Sequence, residues 1–411
     1  MSNLNSSLPL KPLRLFGAVQ SYAWGKVGAA SRIADILPEY EPGEPLAEYW
    51  LGAHPKGSAL VELPGGERVL LSSVLADPAE LPFMLKVLSI NGDFALSIQS
   101  HPDSATARVL HARNPESYPD PFHKPEVGVA LTPVRLLYGF KGCRELIALF
   151  NRVPELRGLI SSELFGRLLQ EPSGDRFYQV MRDLFAAFMR CDAEIVAGVV
   201  RAITARVANR ASDVGQEELL MSRLARVYGD GDVGLVALYL MNIVDLAPGS
   251  GIFIDANIPH AYLEGDLVEC MACSDNVIRA GLTPKFRDVE TLLETCRYDV
   301  VGEPRLVRGH SAGSRQVRFD LPVEEFALGM IGAVCGADAA GDGEISTADG
   351  HVIAFSVGAE AKLWRVGAGD DEVSLIDGGA VLLPRNSGVY RCATRGGAVF
   401  VAGGRGVVGL G

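Results

Sequence analysis

A change of hydrophobic period in the middle of the chain narrows the folds open to it more than any other feature. Between about Glu145 and Tyr228, the residues Phe177, Val180, Met181, Leu184, Phe185 and Phe188 recur at helical spacing. Ile195, Val199 and Ile203 follow, and then Leu220, Leu224 and Val227. Pro172 to Asp175 and Ser212 to Gly215 interrupt the pattern, so this stretch predicts several packed helices. On either side the apolar residues come in short runs, such as Leu60-Val-Glu-Leu63 and Phe94-Ala-Leu-Ser-Ile98, cut by Gly, Pro and Asp. That is strand and turn punctuation. An antiparallel β unit is expected from about Leu13 to Phe140. It resumes with Ile252-Phe-Ile and runs through Leu263 to Ile278. Beyond about Arg305, short alternating strands with Gly-Gly and Asp-Gly turns read as a second all-β unit. The fold class is therefore mainly β with a helical insertion.

The formal charge of −12 removes a generic nucleic-acid binder, which carries a basic stripe, from consideration. An anionic substrate needs locally concentrated cations in such a chain. The longest apolar stretch, around Gly234 to Val244, is too short for a membrane span, and Met1 to Gln20 lacks an apolar leader core. Seven scattered cysteines suggest no disulfide framework. The expectation is a cytoplasmic monomer with neither a nucleic-acid nor a membrane partner. Gly404-Arg-Gly406-Val-Val-Gly409 matches a dinucleotide fingerprint only as letters, because no helix can follow it, and Cys270-x-x-Cys273 reads as buried structural thiols.

The residues of Ser97-Ile-Gln-Ser-His-Pro-Asp are more informative. On a strand, Gln99 and His101 point to one face about 7 Å apart and can converge on one ion. His123-Lys-Pro-Glu126 and Pro259-His260-Ala-Tyr offer further donors of the kind Zn²⁺ accepts, although spacing alone cannot assemble four scattered ligands.

Several separate stretches together resemble the type I phosphomannose isomerase family. They are Ser21-Tyr-Ala-Trp-Gly25, Ala47-Glu-Tyr-Trp-Leu-Gly-Ala-His-Pro-Lys56, Leu81-Pro-Phe-Met-Leu-Lys-Val-Leu leading into Leu96-Ser-Ile-Gln-Ser-His-Pro-Asp, and His123-Lys-Pro-Glu. His260-Ala-Tyr and the run from Glu269 to Lys285 complete the set, which spans the first three quarters of the chain. The resemblance implies cupin-type jelly rolls with a helical domain. Residues 1–144 and 232–304 would form a discontinuous catalytic cupin domain, 145–231 the helical insertion, and 305–411 a C-terminal cupin-like domain. It further implies a zinc-dependent aldose-ketose isomerase that interconverts mannose 6-phosphate and fructose 6-phosphate through an enediol. Carried over by motif, one Zn²⁺ per chain is held by Gln99, His101, Glu126 and His260. Arg279 takes a catalytic position, where the rival reading is a salt bridge to Asp275. Glu269 is preferred to Lys124 as the proton-transfer base. Lys124 and Ser97 are candidates for phosphate contact, and Trp24 and Glu48 for the pocket wall, unless those two are a core tryptophan and its hydrogen-bonded carboxylate.

One departure stands out. Many relatives carry a lysine after the His-Pro-Asp motif, whereas this chain has Ser104. Two other readings follow from the same residues: an iron-dependent cupin oxygenase, and a non-catalytic sugar-phosphate-binding protein. A Gln-containing ligand set beside Lys and Arg fits a redox-neutral reaction of an anion better than the first. Retention of Arg279 with all four donors argues against the second.

Overall fold

The structure is a computed structural model and describes residues 8–209, 214–299, 306–307, 309–311, 315–334, 340–368 and 371–407. The expected boundary at residue 305 and Gly409 of the glycine string lie outside them.

Strict alternation builds the sheet that carries the site. Phe83, Leu85 and Val87 of strand Phe83–Ile90, Val127 and Val129 of Glu126–Ala130, Val268 and Cys270 of His260–Ala272, and Tyr49 and Leu51 of Glu48–Leu51 all enter one apolar layer. The residues between them, Glu48, Lys86, Glu126 and Glu269, therefore project from the opposite face. From edge to edge the sheet runs Leu306–Val307, Gly251–Ile254, Glu126–Ala130, His260–Ala272, Phe83–Ile90, Glu48–Leu51 and Ala18–Gln20, each strand antiparallel to the next.

Strand His260–Ala272, 13 residues long, serves two sheets. From Gly265 onward it pairs with Phe83–Ile90. Its first half instead pairs with Val134–Phe140, which continues to Met241–Leu246, while His260 itself faces Gln99 of Ile98–Ser100. Gly265 marks the changeover, with φ 113°, and a Cβ there would lie 2.5 Å from the Pro133 carbonyl oxygen. Only glycine fits.

The opposite side of the apolar layer is a nine-stranded sheet. Strands such as Val352–Val357, Ala380–Leu383 and Ala398–Gly403 make up its C-terminal part, but Leu13–Phe16 lies between Ala380–Leu383 and Leu60–Glu62, so the sheet draws on both ends of the chain. The N-terminal strand thus sits in the sheet that the sequence reading assigned to the second β unit. A four-stranded sheet, Gly341–Ser346, Val389–Arg395, Glu360–Arg365 and Glu372–Leu375, encloses a further apolar core with it.

The helical stretch forms as expected, through Cys143–Arg152, Ser162–Leu169, Asp175–Met189, Ala193–Asn209 and Gln216–Tyr228. Phe177, Val180, Met181, Leu184, Phe185 and Phe188 are all buried on one face. Two core assignments shift. Ile195 is 51% exposed and Val227 40% exposed, because the buried stripe of the fourth helix runs Val196, Val199, Val200 and Ile203, one position off Ile195. Residues Ser104–Arg113 are a helix within the stretch expected to be β. It buries only Ala107 and Leu110, so its periodicity is faint, and its start is set by the Asp103 carboxylate accepting from the Thr106 N–H at 2.8 Å. Among the described residues no helix is long and apolar enough to cross a membrane.

Candidate active site

Three buried side chains converge where the two sheets served by strand His260–Ala272 meet. The Nε2 atom of His101 lies 3.3 Å from Oε1 of Glu126, and that of His260 lies 3.5 Å from Oε2 of the same carboxylate. The backbone orients both imidazoles, for His101 Nδ1 bonds the Asn276 carbonyl at 2.9 Å and His260 Nδ1 bonds the Ile258 carbonyl at 2.9 Å. That arrangement places the N–H on Nδ1 and leaves each Nε2 a lone-pair donor. Both Nε2 atoms are buried without a hydrogen-bond partner. Such orphaned donors are costly unless something binds them, and two imidazoles with a carboxylate suit a borderline-soft divalent ion such as Zn²⁺. Burial pulls His101 down to about 4 against the attraction of Glu126, so it is neutral and free to ligate at neutral pH. Burial alone would raise Glu126, but the Lys124 ammonium, 2.7 Å from its Oε1, and the His101 imidazole hold it well below the usual carboxylate range.

Gln99 belongs to the same face. It is the direct ladder partner of His260 on one side and of Arg279 on the other, and residues directly opposite in antiparallel strands share a face. Its Oε1 accepts from the Ser97 hydroxyl at 3.1 Å.

A second row crosses the sheet beside this cluster. Trp50 faces Lys86, Lys86 faces Glu269, and Glu269 faces Gly128. The buried Lys86 ammonium is 3.7 Å from both Glu48 and Glu269 and lies over the Trp50 ring. Burial works against its charge, yet the two carboxylates raise its pKa. Glu48 also accepts from the Trp50 indole, so the hydrogen-bonded tryptophan–carboxylate pair involves Trp50 rather than Trp24. Trp24 stacks on Tyr22 with centroids 5.8 Å apart and packs against the Leu88, Ile90 and Tyr262 cluster. Burial, followed by repulsion from Glu126, pushes Glu269 up to about 8, with Lys86 and Lys124 opposing. Gly128 leaves room for the Tyr262 hydroxyl, which a Cβ would meet at 2.6 Å.

Arg279 does not pair with Asp275. The Asp275 carboxylate binds Lys56 at 2.9 Å and faces His54 Nε2 at 3.5 Å. Among the described residues the Arg279 guanidinium has no carboxylate partner, and burial lowers its pKa. Lys285 is lowered as well, by burial and then by Arg279 and Lys56. These three cations form the local positive patch that an acidic chain needs to hold an anion.

The structure brings together His101, Glu126, His260, Lys124, Gln99, Ser97 and Arg279, with Glu269 and Glu48 in the adjoining row. Lys86, His54, Lys56, Asn276 and Lys285 join the site in the structure without standing among the candidates the sequence offers. Lys86 carried a usable signal, since a lone lysine inside the buried eight-residue strand Phe83–Ile90 must find a charged partner. Asn276 carried none, because its partners, the His101 imidazole and the Asp120 and Phe122 carbonyls, lie more than 150 positions away in sequence.

Residues 13–143 match the model of the phosphomannose isomerase type I catalytic domain. Over 304 residues, 68% of this chain and 71% of the relative, the sequence is 38% identical to the mannose-6-phosphate isomerase of Mus musculus. The chain belongs to the type I phosphomannose isomerase family. Mannose-6-phosphate isomerase 2 of Arabidopsis thaliana is a longer match to this member, 36% identical over 80% of the chain and 79% of the relative. A substituted form of the Salmonella typhimurium phosphomannose isomerase superposes with a TM-score of 0.80 at 27% identity, covering 96% of this chain and all of that one. The Salmonella enzyme has also been solved bound to its substrate and a zinc atom, with a TM-score of 0.78, 27% identity, and coverage of 96% of this chain and 99% of that one. The likeness of this isomerase-family chain therefore extends through the C-terminal β segment, where no sequence motif could be matched.

Proposed function

We propose that the chain interconverts D-mannose 6-phosphate and D-fructose 6-phosphate, with one Zn²⁺ held by Gln99, His101, Glu126 and His260. The pair of buried imidazole Nε2 atoms, unpartnered and aimed at one carboxylate, carries this reading. When bound, the ion supplies positive charge that polarises the sugar oxygens and eases formation of an anionic enediol.

The chain's own residues do the rest. Glu269 takes the proton from one of the two reacting carbons and returns it to the other. Its carboxyl, pushed up to about 8, is matched to proton transfer near neutral pH. Lys86 holds that carboxylate in place, and Glu48 holds Lys86. Arg279, with its fork free of any carboxylate among the described residues, faces the enediolate or phosphate oxygens, and Lys56 and Lys285 extend the same positive field. Lys124, seated on Glu126, stabilises charge at the reacting end, Ser97 contributes a hydroxyl to the phosphate, and Trp24 walls the pocket. Both β units are read as cupin-type jelly rolls. Residues 1–144 and 232–304 make up the catalytic unit, 145–231 the insertion and 305–411 the C-terminal unit, with strands exchanged between the two β units: Leu13–Phe16 and Leu60–Glu62 lie in the C-terminal sheet and Leu306–Val307 at the edge of the site-bearing one.

A coupled assay on purified protein, with zinc content measured on the same sample, tests the proposal. Mannose 6-phosphate turnover that follows zinc occupancy is the expected result. A zinc-loaded, folded protein that fails to convert mannose 6-phosphate overturns it.

A further inference from the structure

The segment that carries Lys124, residues 119–125, has no regular secondary structure, yet its lysine must stay within 2.7 Å of Glu126. One flank is stitched to the site. Asn276 donates from its side-chain amide to the carbonyls of Asp120 at 2.7 Å and Phe122 at 2.8 Å, and the Ser274 hydroxyl donates to Asp120 at 2.8 Å. The other flank is held from the C-terminal β unit. His123, the neighbour of Lys124, directs its Nε2 to the carboxylate of Glu325 in a short hydrogen bond spanning 202 positions of sequence. Burial favours the neutral form of Glu325, but the bond to His123 and the backbone hydrogen bonds it accepts together lower its pKa. The preceding residue, Glu324, is itself tied to Arg405 at 2.7 Å.

We infer that Glu325 is a positioning residue of the active site: by pinning His123 it fixes the backbone from which Lys124 reaches Glu126, so the C-terminal β unit takes part in catalysis without touching substrate. This rests on the role proposed for Lys124. Residues that orient a reacting or ligating group through one intermediate commonly matter about 10- to 100-fold.

The test is a double-mutant cycle on the full-length, zinc-loaded protein, with kcat, KM, zinc content and Tm measured on each preparation. Glu325→Ala is expected to lower kcat about 10- to 100-fold while zinc content stays at the wild-type level. Glu325→Gln should restore most of the loss, because its amide oxygen accepts the same bond. In a Lys124→Ala background, adding Glu325→Ala should change kcat no further. A full second loss in that background, or a wild-type kcat for Glu325→Ala alone beside an impaired Lys124→Ala, overturns the inference and leaves the Lys124 role standing. Wild-type kcat in Lys124→Ala removes that role and the inference with it. If Glu325→Ala does not fold, His123→Ala breaks the same bond from the other side and carries the cycle with the same criteria.

Discussion

Asp275 and Arg279 stand four positions apart, leading into and along the strand that pairs with Ile98–Ser100, and they do not pair with each other. The carboxylate is committed to Lys56 and His54, and among the described residues the guanidinium has no carboxylate partner. Arg279→Lys keeps the charge but loses the planar fork, so kcat should fall roughly 10²- to 10³-fold, as for loss of an oxyanion donor. Zinc content and Tm should hold. A large drop in Tm with near-normal turnover per folded molecule would instead make Arg279 a scaffold residue.

Metal removal should abolish isomerisation, and Zn²⁺ should restore it, while the far-ultraviolet circular dichroism barely changes. The apolar layer between the large sheets stands apart from the three converging ligands. An ion at 100 times its dissociation constant contributes only about 2.7 kcal/mol to stability. Complete unfolding on chelation contradicts this.

Glu269 gives a signed pH effect. Its folded-state pKa is raised from 4.5 to about 8, so between these values the native protein binds a proton that the unfolded chain has released. Unfolding free energy then decreases as pH rises through that window. Metal-free protein should lose stability from about pH 5 to 8 more steeply than its Glu269→Gln variant, in denaturant titrations at several pH values. Parallel pH dependences for the two proteins rule the shift out.

Lys86→Met leaves Glu48 and Glu269 buried without their shared cation. Breaking a buried ion pair from one side costs about 3–5 kcal/mol, so the variant should melt well below wild type. It should also lose kcat beyond what unfolding explains at 25 °C. An unchanged Tm would show that solvent reaches both carboxylates.

Ionic strength should raise KM for mannose 6-phosphate and leave kcat nearly constant, because Arg279, Lys56 and Lys285 attract the phosphate in a chain of net charge −12. Free mannose should react far more poorly, for lack of remote binding energy. Equal kcat/KM for the two sugars refutes the role given to the cationic rim.

What the sequence disclosed follows from the range of each signal. The buried face of Asp175–Met189 was legible because it is periodic within one element. The convergence of His101, Glu126 and His260 became legible only through motif resemblance, since two strands and the residue that follows a third, all far apart in sequence, bring them together. Helix Ser104–Arg113 was hidden because an exposed helix needs little apolar patterning. The Glu325–His123 contact was invisible, for nothing local to either residue refers to the other.

The pairing of Leu13–Phe16 with Ala380–Leu383 also bears on how the protein is born. Strand Leu13–Phe16 leaves the ribosome long before its partner at Ala380–Leu383, and at about 5–20 residues per second the wait is on the order of tens of seconds. During that time one face of the site-bearing sheet, with Phe83, Val127 and Phe253, lacks the surface that will cover it. The nascent chain is thus a natural client for chaperones that shield apolar surface. A stop codon anywhere before the strand at 380 removes a wall of the core rather than a dispensable appendage.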